Sequence, residues 1–304
     1  MKEINLKHRN LKYIIHTLML AAAAMILSFA VQSVVLASET TAETETAQSE
    51  DAATMEETSE TEETEQETKK VGRWYTAKSG NVYYYNENDK KLKNGKYKIN
   101  GKYYYFDSKG IQRTGWQKIG SSYYYFRIGK RKNGYMVTSK TVNGIYLRKN
   151  GKARMTSYSK RKLPILYKAN VIMRSVTKNS DTKAQKLKKL FEYTKTHYKY
   201  SSIGSFPGGK NWDLYYAERS FINGALTADC HNYGVIFAYL ANAVGYKASA
   251  VSSGGHGWAE IGNYVYDPSW SLTDKTHNYF GMPYGTTGTN VPNYAKGRYY
   301  VITI

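Results

Sequence analysis

The last quarter of the chain contains three residues whose types and order could perform chemistry. Cys230 is the only cysteine among 304 residues, and His256 and Asp267 follow it. A thiolate is an effective nucleophile when a base activates it and a third group orients that base. A lone cysteine can also be a buried, inert side chain. Glycines flank His256 on both sides and let a substrate backbone approach its ring, so the trio predicts attack of a thiol on a carbonyl carbon.

A helix is predicted to begin at the cysteine. Asp229 is a residue type that caps helices, and apolar residues recur at helical spacing up to Val244, just before Gly245. Cys230 then lies in the first turn, where N–H groups and the positive end of the helix dipole stabilise a thiolate. Cysteines in such positions have pKa values lowered to about 3.5–7.5, and the same N–H groups can bind the oxyanion of a tetrahedral intermediate.

Two predicted strands, residues 256–261 and 264–267, bring the histidine and the aspartate together. If the Gly-Asn pair between them forms a two-residue turn, His256 and Asp267 become diagonal neighbours on one face of a hairpin. A four-residue loop keeps this relation and a three-residue loop breaks it. A further strand is predicted at residues 247–251.

The rest of this half of the chain has the composition of an α+β domain. A helix capped by Ser180 or Asp181 is predicted to run to about residue 198, and another covers residues 214–221. Residues 201–211 are rich in Gly, Ser and Pro and are predicted to form a loop.

The order of these motifs resembles the transglutaminase-like superfamily. The likeness spans about residues 182–270 and rests on the Asp-Cys pair ending at Cys230, on the His-Gly-Trp run beginning at His256, and on the Tyr-Asp-Pro-Ser-Trp run around Asp267. The resemblance implies an α+β fold with a papain-like transglutaminase core in residues 156–304. It also implies that Cys230 is the nucleophile, His256 the general base and Asp267 the acid that orients the base.

The predicted chemistry needs no cofactor and no metal. His197, His231 and His277 have no partners at metal-ligand spacing, and no cluster of carboxylates suggests a calcium site. His231 is expected to be an exposed residue at the start of the helix, or else to raise the positive potential near the thiol. The side chain that would help to bind the oxyanion stays open, with Trp212 as one candidate.

Aromatic triplets divide residues 71–155 into repeats. The triplets begin at Tyr83, Tyr103 and Tyr123, and a degenerate fourth unit follows. Asn-Gly and Lys-Gly pairs between them suit β-hairpins, whose tight turns need positive φ. A period near 20 residues predicts a solenoid of stacked hairpins that bury their aromatic faces on one another.

The repeats resemble the cell-wall-binding repeats of Gram-positive surface proteins, of the choline-binding and glucan-binding type. The likeness rests on the Gly-Trp pair at Trp116 and on the Tyr-Tyr-Tyr-Phe run at 123–126. In the preceding repeat, Lys96 occupies the position that corresponds to Trp116. In that family, aromatic rings of adjacent units bind choline or sugars. Alternatively, most of the tyrosines fill the hairpin core. The residues implied as possible wall-ligand contacts are Trp116, Tyr104, Tyr124 and Tyr135.

Two segments precede the repeats. Residues 1–37 have the basic start, apolar run and small residues of a signal peptide, which would leave no stable membrane span after cleavage. An uncleaved anchor is the alternative, since the apolar run approaches the length that spans a bilayer. Residues 38–70 contain 12 acidic residues and one large apolar residue, which predicts a disordered acidic linker.

The charge of the chain is divided unevenly. The net charge is +20, but residues 71–304 alone carry 38 basic and 11 acidic residues. Nucleic acid is not the expected partner of an exported protein. The anionic phosphates of teichoic acid fit better, with glucan or peptidoglycan as other wall polymers. The basic surface could also serve solubility alone.

The sequence therefore predicts a secreted, cell-wall-associated thiol enzyme that acts on amide or peptide bonds of a peptide or protein substrate, as a cysteine peptidase or amidase. One alternative is protein cross-linking of the transglutaminase type. The other is a non-catalytic wall-binding adhesin in which the papain-like domain is a scaffold.

Overall fold

A computed structural model describes residues 71–304, all of which belong to one compact unit. The predicted signal peptide and acidic linker, residues 1–37 and 38–70, lie outside the described residues. Within residues 71–304, no helix is both long enough and apolar enough to cross a membrane.

The repeats form antiparallel hairpins, as predicted. Each pairs two short strands, and the second hairpin gains a third strand. The strands are β1 Arg73–Thr76, β2 Val82–Tyr85, β3 Gly95–Ile99, β4 Lys102–Phe106, β5 Gln112–Arg113, β6 Gly115–Ile119, β7 Ser122–Phe126, β8 Lys140–Val142 and β9 Ile145–Leu147.

Two tight turns of these hairpins use Asn-Gly pairs with positive φ at both residues. They are Asn100 with Gly101 (φ 46° and 79°) and Asn143 with Gly144 (φ 52° and 77°). Their conformation matches the twist of the strands, which explains why this pair recurs. Aromatic rings pack edge to face both within and between hairpins: Trp74 contacts Tyr84 of its own hairpin and Tyr104 of the next, each with ring centroids 5.0 Å apart.

A long helix that the sequence analysis did not predict connects the repeats to the rest of the chain. Helix α1, Ser157–Val176, begins at a capping box in which Thr156 and Ser159 satisfy each other's N–H groups. Pro164 lies inside it and removes one backbone donor, which masks the helical signal in the sequence. The helix packs against strand β6 and against the central helix of the domain.

Three further helices follow. Helix α2, Lys183–His197, is capped by Thr182 with Gln185, not by Ser180 or Asp181 as expected. Helix α3, Trp212–Ala217, continues into a π-helical turn, Glu218–Ile222, close to the predicted range. Helix α4, Cys230–Val244, has the predicted bounds and ends at Gly245 with φ 102°. Nearly all of α4 is buried, so it is the central helix of the domain.

An antiparallel sheet packs on one side of α4. Its strands are β12 Ala248–Ser252, β13 Gly257–Ile261, β14 Tyr264–Tyr266, β15 Phe280–Pro283 and β16 Tyr300–Thr303, and they lie in the order β15-β14-β13-β12-β16. A separate parallel pair consists of β10 Lys199–Tyr200 and β11 Thr227–Ala228. A short helix α5, Trp270–Thr273, follows β14. A Cβ on Gly234 would lie 2.6 Å from the backbone of Trp258, so this glycine lets α4 approach β13 closely.

The fold is thus a mixed α/β domain preceded by β-hairpin repeats. The two parts share a core through the third repeat. The indole of Trp116 donates to Asn143 (2.8 Å), whose amide donates in turn to Asn242 (3.2 Å) on α4 and to the carbonyl of Ile304 (3.1 Å).

Candidate active site

The cysteine lies at the start of α4, as predicted. Asp229 caps the helix by accepting a hydrogen bond from the N–H of Asn232 (2.9 Å). This cap does not engage the N–H of Cys230 itself. The thiol lines a cavity of about 350 Å³, whose walls are Tyr200, Cys230, Gly255, His256, Ser269, Trp270, Leu272 and Thr273.

The predicted hairpin brings the histidine and the aspartate together. Ile261 pairs with Tyr264, so the turn between β13 and β14 has two residues. His256 comes just before β13 and Asp267 just after β14, and His256 Nε2 lies 2.5 Å from Asp267 Oδ2. The predicted register is confirmed.

Asp267 is completely buried and accepts hydrogen bonds from several donors. Besides His256, they are the hydroxyl of Ser269 (2.7 Å), the N–H of Trp270 (3.0 Å) and the hydroxyl of Tyr294 (2.8 Å). Burial alone would raise the pKa of this carboxyl, but the charge of His256 and these hydrogen bonds hold the pKa below its usual value. Asp267 is therefore ionised at neutral pH and fixes the imidazole ring.

The thiol of Cys230 lies beside two histidines: His231 Nδ1 is 3.6 Å from the sulfur, and His256 lines the same cavity as the thiol. Burial would raise the pKa of the thiol, yet the hydrogen bonds and charges of the two rings lower the pKa to about 6. The pKa of His256 changes the other way: burial lowers it, but Asp267 and the thiolate raise it to about 10. At a pH between these two pKa values, Cys230 is a thiolate and His256 an imidazolium, which is the reactive form of a cysteine nucleophile.

His231 does not lie where the sequence analysis expected it. It is buried and not exposed, with Nδ1 3.6 Å from the sulfur of Cys230 and Nε2 3.0 Å from the hydroxyl of Ser252. Its ring is stacked between Phe206 and Tyr216. These partners come from a loop, a helix and a strand that are distant in sequence, so no local pattern could predict them.

Tyr200 is a further site residue that the sequence analysis did not identify. Tyr200 lines the same cavity as Cys230 and His256. Burial and the neighbouring charge of Cys230 raise the pKa of the Tyr200 hydroxyl to about 12, so it keeps its proton and can donate. Trp212, the candidate from the sequence, is not among the residues that line the cavity, and its indole N–H is buried with no partner within residues 71–304.

The residues expected to contact a wall ligand are mostly buried. Trp116 is 1% exposed and Tyr104 is 2% exposed, so neither offers a ring face to a polymer, and Tyr124 is buried as well. Tyr135 is partly exposed, but the ammonium group of Lys102 lies 4.4 Å from its ring centre. The burial of Trp116 and Tyr104 favours the alternative that the rings fill the hairpin core, and contact of these four residues with a wall ligand stays a prediction.

A lysine of the chain also covers Tyr124. The ammonium group of Lys96 lies 4.7 Å from the ring centre of Tyr124 and 5.1 Å from that of Tyr103. A quaternary ammonium ligand would take the same kind of position.

Within the described part of the chain, no group of three or more His, Cys, Asp or Glu side chains is arranged to hold a metal ion. His277 instead shares Asp274 with Thr276 and Tyr279.

Comparison with known proteins identifies the repeats. Residues 93–140 match a family model described as choline-binding repeat. No curated protein is detectably similar to the chain. Among solved structures, the modular Cpl-1 endolysin in complex with a peptidoglycan analogue is 31% identical over 29% of this chain and 25% of its own, with a TM-score of 0.25.

Two more solved structures are similar over the same kind of region. The pneumococcal cell-wall endolysin from phage Cp-1, complexed with choline, is 28% identical over 31% of this chain and 28% of its own, with a TM-score of 0.25. The choline-binding domain of Spr1274 from Streptococcus pneumoniae is 24% identical over 27% of this chain and 93% of its own, with a TM-score of 0.23. The chain spans about a quarter of the length of the first of these structures. The predicted wall-binding repeats are thus confirmed as choline-binding repeats in residues 93–140, and such repeats imply association with a cell wall.

Proposed function

We propose that residues 157–304 form a thiol acyl-transfer enzyme of the transglutaminase-like type, which the choline-binding repeats hold at a cell wall. The observation that carries this proposal is the arrangement of Cys230, His256 and Asp267. A thiol with a lowered pKa shares a cavity with the imidazole of His256, and a buried carboxylate holds that imidazole. A cysteine with only a packing role does not need such partners.

In the first half of the proposed reaction, the thiolate of Cys230 attacks the carbonyl carbon of an amide. The electron pair of the C=O bond moves to oxygen and returns as the C–N bond breaks. The imidazolium of His256 gives its proton to the departing amine, and a thioester remains on Cys230. Asp267 keeps the ring in place and favours its charged form.

In the second half, water or an amine attacks the thioester. His256, now neutral, accepts a proton from the attacking group, and the thiolate of Cys230 leaves. Water gives a carboxylic acid, and an amine gives a new amide. The first half is common to peptidases, amidases and transglutaminases, so the triad alone does not separate them.

Two donors are available for the oxyanion of each tetrahedral intermediate. The N–H of Cys230 lies at the start of α4, and Tyr200 lines the same cavity with a hydroxyl that keeps its proton. Donors held in place before the reaction stabilise developing charge without reorganisation. We assign Tyr200 to this role in place of Trp212.

The shape of the cavity favours an extended chain as substrate. Gly255 leaves room for a substrate backbone beside His256, while Trp270 and Leu272 supply an apolar wall. An amide in an extended peptide could therefore lie across the thiol. We favour hydrolysis as the outcome, because bulk water outcompetes a dilute amine unless a pocket orients that amine.

A second function is supported by a specific observation. The family model that matches this chain is a choline-binding repeat over residues 93–140, a range that does not include Cys230. A wall-binding protein without catalysis therefore accounts for the comparisons at least as well. The two functions differ in what happens when the thiol is removed.

The test is an activity measurement on purified cell walls and on a casein-like protein, with wild type and Cys230→Ala. Loss of product release in the variant supports the enzyme. His256→Ala should abolish activity as well, whereas His197→Ala, which changes an exposed histidine elsewhere in the same domain, should keep it. If wild type and Cys230→Ala bind walls equally and neither releases product from either substrate, the non-catalytic function is the correct one.

A further inference from the structure

A polar cleft separates the repeats from the helices, away from the residues that surround the thiol. Its main chamber has a volume of about 260 Å³. A deeper chamber of about 80 Å³ adjoins it and reaches the side chain of Arg174 on α1. Both chambers share the walls Gln112, Thr114, Ile128, Asn179, Lys186 and Val244. The cleft is thus lined by both parts of the protein.

Arg174 occupies the deep end without a compensating acid. Its Nη1 is buried and has no hydrogen-bond partner within residues 71–304. The neighbouring Arg113 carries the same charge, and the nearest carboxylate, Asp107, is already bonded to Arg113 (2.8 Å). Burial, and then the charge of Arg113, lower the pKa of Arg174 to about 10. A buried guanidinium in this state is costly unless an anion joins it.

Lysines add positive charge at the mouth of the cleft. Lys130, Lys183 and Lys186 all line it, and burial together with the charge of Lys130 lowers the pKa of Lys186. The one carboxylate among the wall residues, Asp181, is engaged by Lys189 (2.7 Å) and by the N–H of Lys178 (2.7 Å). The cleft therefore has more cations than acids, from mouth to deep end.

We propose that this cleft binds a phosphate group, with Arg174 and Lys186 as its principal ligands. A guanidinium presents parallel N–H donors that match the oxygens of a phosphate, and a lysine adds a point charge. A phosphate in the deep chamber would place negative charge beside the guanidinium of Arg174 and offset its repulsion from Arg113. Because repeats and helices both form the walls, the bound group would also tie the two parts together. The site is independent of the thiol chemistry.

The test is thermal unfolding of the full chain in inorganic phosphate and in chloride at equal ionic strength. Wild type should unfold at a temperature several degrees higher in phosphate, since a ligand that binds only the folded state stabilises it. Arg174→Gln should lose this difference, and in chloride it should unfold at the same or a higher temperature than wild type. Arg148→Gln, which changes an exposed arginine of the fourth repeat outside the cleft, should respond to phosphate as wild type does.

Two further measurements complete the test. Lys186→Gln should reduce the phosphate response, and it replaces Arg174→Gln if that variant does not fold. Sedimentation with a poly(glycerol phosphate) polymer identifies the source of the ligand: binding that depends on Arg174 points to a polymer phosphodiester, and a response to inorganic phosphate alone points to the free ion. An equal unfolding temperature of wild type in phosphate and chloride, or an equal phosphate response of Arg174→Gln and Arg148→Gln, would overturn the proposal.

Discussion

His256 and Asp267 are eleven residues apart in the chain, yet His256 Nε2 and Asp267 Oδ2 are only 2.5 Å apart. The two-residue turn between β13 and β14 makes this possible, because it places the residues that flank the hairpin on one face. Asp267 is fully buried, so its charge acts on the imidazole with little screening by water. The reactivity of Cys230 thus depends on a carboxylate that never touches it.

The first prediction concerns the pH dependence of thiol alkylation. The pKa of Cys230 is lowered from 9.0 to about 6, so the thiolate persists as the pH falls and is lost only below about 6. Iodoacetamide should react at a nearly constant rate from pH 8 to pH 7 and at half that rate near pH 6. In His256→Ala the pKa rises, so the midpoint of the alkylation rate should move to higher pH; a rise of about two units would lower the thiolate fraction and the rate at pH 7 about tenfold.

His197→Ala is the matched control for this experiment and should keep the profile of wild type. The same midpoint in wild type and His256→Ala would mean that no ion pair activates the thiol.

The second prediction concerns the stability contributed by Tyr294, which acts on the site through Asp267. Tyr294→Phe removes a 2.8 Å hydrogen bond to the buried carboxylate. Hydrogen bonds to charged groups contribute about 1.5–3 kcal/mol, so the free energy of unfolding should fall by about 2 kcal/mol in urea titrations. Tyr264→Phe, which changes an exposed tyrosine of β14, should change the free energy of unfolding by less than about 0.5 kcal/mol. Equal effects of the two variants would argue against the buried hydrogen bond.

The third prediction separates binding of the oxyanion from activation of the thiol. Tyr200→Phe removes the proposed donor and leaves the ring in the cavity wall. The turnover number should fall about 10²–10³-fold, the usual effect of losing one oxyanion donor. Alkylation of Cys230 at pH 8 should remain close to the wild-type rate, because that reaction has no oxyanion. A loss of alkylation equal to the loss of turnover would show instead that Tyr200 maintains the thiol.

Local sequence signals predicted the parts of this site that local structure builds. Asp229 caps α4 and Gly245 ends it, and both are short-range effects of residue type. The register of the β13–β14 hairpin follows from one turn. Tyr200 was not recognised and the burial of His231 was not expected, because both depend on elements that meet only in the folded domain.

The helix and strands that the sequence did not predict have weak local signals. Pro164 weakens the helical pattern of α1, because proline disfavours a helix interior. Strands β15 and β16 have too few residues to show a clear alternation of apolar and polar side chains. In the repeats, the pattern predicted the hairpins but not the burial of Trp116, which depends on packing against Asn143 and the helices.

The fourth prediction concerns choline recognition by the repeats. Lys96 occupies the position in its repeat that Trp116 occupies in the next repeat. The ammonium group of Lys96 lies over the rings of Tyr103 and Tyr124. Lys96→Trp removes this internal cation and adds a ring, so choline affinity should rise. Cation–π contacts contribute about 0.5–2 kcal/mol, which predicts roughly a tenfold gain in a choline titration. Lys109→Trp, at an exposed turn of the same repeat, is the control and should have no effect. If Lys96→Trp leaves the affinity unchanged, the lysine does not block a choline site.

The last prediction decides between hydrolysis and cross-linking. Both reactions begin with the same thioester on Cys230, so only the second substrate separates them. Cross-linking needs a pocket that orients an amine and excludes water, and the cavity at the thiol has no acidic side chain in its walls to attract a protonated lysine. The basic residues of the chain would also repel such an amine on approach.

Cleavage of peptide or amide bonds should therefore exceed incorporation of a labelled primary amine into a glutamine-bearing protein when both acceptors are present. Cys230→Ala gives the background of both reactions. Amine incorporation that depends on Cys230 and occurs without cleavage would exclude the hydrolase and establish the cross-linking alternative.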